Sequence, residues 1–114
     1  MICTDPTPPV TDREADGADH RSTAFLHPSI PVLQAAGLWD RLSPFAAPLQ
    51  VMRIVDAGGP VAEPRVIKDF DAAEISDQPF GWNLPNWLLR REMVARLAEL
   101  PNVTFLPGVA TARI

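Results

Sequence analysis

The chain has 114 residues, enough for one domain with one core, and its 46% hydrophobic and 21% charged content is globular. A net charge of -4 and a pI near 5.0 leave no clustered basic footprint, so neither nucleic acid nor an anionic membrane surface is expected to bind directly. Cys3 is the only cysteine, which excludes an intrachain disulfide and fits a reducing, cytoplasmic setting, and the two histidines lack ligand spacing, so no metal site is expected.

Residues 1–4 are β-prone and stop at Asp5-Pro6, where proline removes a backbone donor. A short strand placed here needs a neighbour to satisfy its backbone. Residues 6–19 are rich in Pro, Asp and Gly without hydrophobic periodicity and read as a long exposed loop, a class that is usually functional or mobile. Residues 28–37 read as a helix with Ile30, Leu33 and Ala36 on one face, prolines in its first turn and Gly37 as its stop. Residues 49–57 and 65–70 read as two strands joined by Gly58-Gly59-Pro60 turn chemistry, and residues 80–84 as another strand ended by Pro85.

Asn86 is a natural helix cap, and residues 87–100 place Leu89, Met93, Leu97 and Leu100 on one stripe, with Glu92 and Arg96 paired on the wet side and Pro101 as the stop. Residues 103–106 form a short strand before Pro107-Gly108, and a last strand could begin at Val109. The alternation of strands and helices indicates an α/β or α+β arrangement, with α/β as the expected fold class.

Several side chains invite chemistry. Asp5 directly follows the first strand, where dinucleotide-binding folds place an acid that accepts ribose hydroxyls, although Asp before Pro is equally ordinary turn chemistry. Arg21 carries a planar fork of donors suited to a pyrophosphate, and its bland reading is a solvated arginine paired with Asp19. Arg90 and Arg91 lie in the first turns of the long helix, where either could reach a phosphate or simply face water. His20 and His27 lack any triad spacing, and Trp39, Trp82 and Trp87 sit among apolar neighbours, so packing is the expected role of the three indoles. No catalytic residue is assigned.

Asp19-x-Arg21-x-x-Ala24, leading into an apolar helix that closes with Gly37-Leu38-Trp39-Asp40, resembles the FAD-dependent aromatic-ring hydroxylases of ubiquinone biosynthesis. The likeness continues through residues 48–57, through Phe80-Gly81-Trp82-Asn83-Leu84-Pro85-Asn86 and along the helix at 89–100. It implies a partial Rossmann-like FAD/NAD(P)-binding fold with part of a substrate-domain sheet. Residues 1–47 and 86–114 would then be cofactor-domain portions of one incomplete domain, and residues 48–85 the β-rich, substrate-side portion.

The resemblance further implies FAD, reduced by NADPH or NADH, and a small aromatic or polyprenylated phenol as substrate. It turns Asp5 and Arg21 into cofactor ligands and favours Arg90, three residues before Met93, over Arg91. For the parent protein it implies peripheral association with a membrane or a ubiquinone-biosynthesis complex. The family's GxGxxG turn and its later Asp-Gly and Gly-Asp motifs are not in this sequence, so the chain reads as an internal slice missing parts of its own fold. Alone, it is expected neither to bind FAD tightly nor to turn over. Two other readings stand beside this one: a small non-enzymatic interaction domain that pairs through open sheet edges, and a flavin hydroxylase acting on another phenol.

Overall fold

A computed structural model describes residues 1–60 and 63–112. The first strand, β1 (Ile2–Asp5), finds the neighbour it needs in the last one: β7 (Thr104–Pro107) lies parallel to it, with Ile2 opposite Thr104 and Asp5 opposite Pro107. The amides of Gly108 and Val109 then close on the Asp5 carbonyl at 2.8 and 3.1 Å. Residues 109–112 form no strand, and the rest of the one foreseen there lies outside the described residues.

A strand stands where the sequence suggested only an approach to a helix. β2 (Ser22–Leu26) alternates exposed and half-buried positions, turning Thr23 and Phe25 inward. It pairs antiparallel with β6 (Gly81–Pro85), whose other edge carries the two-residue β3 (Ala47–Pro48). β6 runs through Pro85, which sits at its last position, where the loss of a donor is tolerated.

Helix α1 (Ile30–Ala35) buries Ile30 and Leu33, whereas Ala36 is exposed. Leu38 takes the third core place instead. Gly37 adopts φ +71°, its amide meets the Gln34 carbonyl at 2.9 Å, and the Leu38 amide meets the Leu33 carbonyl at 2.9 Å. That pair of bonds is a Schellman stop, and it folds Leu38 back against Leu33. The Gly-Leu-Trp-Asp segment is therefore accounted for by helix termination and by packing into α2 (Trp39–Leu42).

Helix α3 (Asn86–Glu99) supplies Leu88 and Leu89 to the core formed with Ile30, Leu33, Leu38, Leu42 and Leu84. Its expected stripe divides: Leu89 is buried, while Met93 is 41% exposed and, with Leu97, borders a cleft. The foreseen Glu92–Arg96 pair is replaced. Arg96 donates from Nε to the Ala36 carbonyl, just past α1, at 3.0 Å and pairs with Glu99 of its own helix at 3.2 Å. Arg41 of α2 chelates the same Glu99.

β4 (Val51–Asp56) and β5 (Val66–Asp71) form the expected antiparallel hairpin. Its Arg53–Asp69 pair, at 2.7 Å, lies across the two strands.

Candidate functional site

The first turn of α3 is fastened to the Asp19–Arg21 segment. The amides of Asn86 and Trp87, which no helical carbonyl can satisfy, donate to the carbonyls of Arg21 and Asp19 at 2.9 and 3.1 Å. Asn86 therefore does not cap the helix with its side chain as the sequence suggested: Pro85 holds the cap position, and Asn86 is the first helical residue. The Asn86 amide group instead works sideways, with Oδ1 accepting from the Thr23 hydroxyl at 2.7 Å and Nδ2 donating to Asp19 Oδ2 at 3.2 Å.

Asp19 is the centre of this arrangement. Its side chain is only 9% exposed, and its Oδ1 accepts from the Arg21 amide at 3.2 Å and from Arg21 Nε at 2.9 Å. Oδ2 accepts from Arg21 Nη2 at 2.9 Å, Asn86 Nδ2 at 3.2 Å and Arg90 Nη2 at 3.2 Å. The hydrogen bonds from the Arg21 guanidinium and from Asn86 hold this carboxyl well below the usual carboxylate range. A negative charge beside the start of α3 also suits the positive end of the helix dipole.

Next to this centre lies a cleft of about 420 Å³. β1 forms its floor through Cys3, Thr4 and Asp5, and the loop carrying Pro8, Pro9 and Val10 forms one wall. Met93, Val94 and Leu97 of α3, with Phe105 of β7, give an apolar wall, and Arg90 provides a cation at the rim. Asp5 ends β1, at the carboxyl end of the parallel pair, the position where open α/β sheets bind ligands. Its Oδ1 accepts from the Thr7 amide at 3.0 Å, and among the described residues Oδ2 has no hydrogen bond.

The structure thus brings Asp5 and Arg90 to one cleft. Arg21 is not among the residues lining it; it is joined to Arg90 through Asp19, and its side chain is 82% exposed. The paired arrangement of Arg21 with Asp19 is present as the bland reading described it. Arg91 is engaged elsewhere, with Glu92 at 2.9 Å and the Trp87 ring at 5.2 Å. His27 donates from Nε2 to the Pro79 carbonyl at 2.6 Å and packs edge-on against Trp82, a structural position. Sequence reasoning offered Asp19 only as a partner of Arg21 and Asn86 only as a cap, and missed that they join at Arg90. The signal is present in the Asp-x-Arg spacing, which lets a carboxylate accept from the side chain two residues on. Among the described residues no metal-binding cluster occurs, and no helix is long and apolar enough to cross a membrane.

Acid should expose the Asp19 linkage. Asp19, Asp69 and Glu99 all titrate below their ordinary values, each chiefly through a hydrogen bond from an arginine side chain. A depressed carboxyl stabilises the fold fully above its unfolded value, 3.8 for aspartate and 4.5 for glutamate, and loses that contribution as the pH falls through the folded value. The urea midpoint is expected to stay level from about pH 8 to pH 5 and to drop below about pH 4. Asp19→Asn should flatten more of that drop than Asp69→Asn, because the Asp19 side chain is 9% exposed and that of Asp69 is 43% exposed and so better screened by solvent. Equal slopes in the two variants would contradict the central place of Asp19.

No protein-family model matches the chain. It is similar to ubiquinone hydroxylase UbiL of Rhodospirillum rubrum, with 34% identity over 99 residues, which is 86% of this chain. The aligned stretch is 22% of the relative's length. The chain is thus similar to a hydroxylase named for ubiquinone.

Proposed function

We propose that this chain is part of an FAD-dependent monooxygenase that hydroxylates an aromatic ring in ubiquinone biosynthesis, with NADPH or NADH as reductant. The observation that carries the proposal is the similarity to UbiL across most of the chain. The cleft supports it independently of the name. An acid at the carboxyl end of a parallel strand, a cation at the rim and an apolar wall form a donor set that fits the adenosine portion of a dinucleotide.

On this reading Asp5 Oδ2 accepts from ribose hydroxyls, Arg90 turns its remaining N–H groups to a phosphate, and the α3 wall covers the base. Arg21, whose Nη1 has no hydrogen bond among the described residues, serves the cofactor from the outer side of Asp19. Bound flavin would supply the oxygen chemistry; this chain's residues hold it and exclude water. The substrate is a small aromatic or polyprenylated phenol, the setting is cytoplasmic, and any contact with a membrane or a biosynthetic complex is peripheral and belongs to the parent protein. The fold is then a portion of a Rossmann-like cofactor domain with part of a substrate-side sheet.

Replacing the aligned segment of UbiL by this chain should give a protein that binds FAD and adds one oxygen atom to an aromatic ring. A folded chimaera without flavin would defeat the proposal. The 114-residue chain alone is expected to bind FAD more weakly than about 1 µM, because the segment supplies only part of the dinucleotide's contacts. Flavin fluorescence titration measures this, and tighter binding would show that the chain is self-sufficient.

A further inference from the structure

We propose that Asp19 is a positioning residue: it fixes the guanidinium of Arg90 at the rim of the cleft, so that the cation meets a bound phosphate already oriented. The inference rests on the reading of the cleft as a nucleotide site. Arg90 is a long side chain, 42% exposed, with many rotamers to lose on binding. Asp19 removes much of that loss beforehand. It takes one of the five Arg90 donors, through Nη2 at 3.2 Å, and leaves the others for a ligand.

The carboxylate itself is held by more than Arg90. Arg21 grips both its oxygens from one side, Asn86 holds Oδ2 from another, and Thr23 holds Asn86 in turn. The backbone carbonyl of Asp19 is bonded to the Trp87 amide, so the segment moves with the first turn of the helix that carries Arg90. Arg21 also balances a charge that would otherwise compete with an incoming phosphate for Arg90.

Positioning and simple charge make opposite forecasts. Removing a carboxylate raises the local positive potential, so charge alone predicts that an anion binds Asp19→Asn more tightly. Positioning predicts weaker binding, because Arg90 is released to many rotamers. The experiment uses the 114-residue chain, with ADP as probe and NMR as readout. In the wild type, the Arg90 Nε–H signal should be ordered and slow to exchange, and in Asp19→Asn it should average to a mobile value while the α3 amides keep their shifts.

ADP, binding in the millimolar range, should bind Asp19→Asn about fivefold more weakly, an interaction of the size found for contacting side chains. In an Arg90→Ala background the same substitution should change ADP binding by less than about 1.5-fold, since there is no guanidinium left to position. If Asp19→Asn does not fold, Asp19→Glu retains the charge but displaces the carboxylate by one methylene, and the same loss of Arg90 order is expected.

Tighter binding by Asp19→Asn, an equal loss in the Arg90→Ala background, or an Arg90 side chain as mobile in the wild type as in the variant would each overturn the proposal. An ordered Arg90 that Asp19→Asn releases, in a chain that binds no ADP, upholds the positioning and defeats only the nucleotide reading of the cleft.

Discussion

Leu84→Ala is expected to lower the urea midpoint steeply. Leu84 has no exposed surface, lies in the middle strand of the β2-β6-β3 sheet, and belongs to the cluster with Leu42 and Leu88, which are also buried to within 1%. Truncating such a leucine removes transfer free energy and leaves a cavity, together costing about 2–5 kcal/mol. A chain of this size has about 5–15 kcal/mol in all, and among the described residues the core cluster has seven buried side chains. The loss is therefore a large share of the total. Urea titration followed by tryptophan fluorescence reads it directly, because Trp82 and Trp39 pack 5.4 Å apart beside the same core. A midpoint within error of the wild type would mean that the sheet and α3 do not share one core.

The elements legible in the sequence are those whose signals are local and repeated. α3 has fourteen residues and a proline just after its last turn, and the hairpin has two β-branched runs around a Gly-Gly-Pro turn. β2 escaped because Ser22-Thr23-Ala24-Phe25-Leu26 gives only one full alternation, and two of its five residues are Ser and Ala, which favour no strand. What makes it a strand is β6, fifty-odd residues away, and no local pattern reports such a partner. The division of the α3 stripe has the same origin. Met93 and Leu97 are apolar at helical spacing, yet β1, β7 and the proline loop stand off from them and leave a cleft.

At the candidate site the visible residues were the ones with evident chemistry. Asp5 and Arg90 reach one cleft, but in the sequence the carboxylate organising the arginines looks like no more than a surface partner of Arg21. Its importance comes from burial to 9% and from Asn86, sixty-seven positions later, neither of which is encoded near Asp19.

Gly81→Ala is expected to destabilise the fold by about 1–3 kcal/mol, although it adds only a methyl group. Gly81 is buried at the start of β6, opposite Leu26. A Cβ there would overlap the Phe25 carbonyl oxygen and lie 2.9 Å from the Leu26 Cα and 3.0 Å from the Phe25 carbonyl carbon. All three are backbone atoms, so no rotamer change relieves the clash; the end of β2 has to move. That movement strains the pairing of Leu26 with Gly81 and, through it, the seat of Trp82 between His27 and Trp39. The Gly81 carbonyl also accepts from the Leu49 amide at 2.9 Å, so the β3 side of the sheet is drawn into the displacement. A lowered urea midpoint accompanied by a changed environment for Trp82, but with the α3 amides still protected, is the expected pattern. An unchanged midpoint would place the end of β2 farther from β6 than this pairing allows.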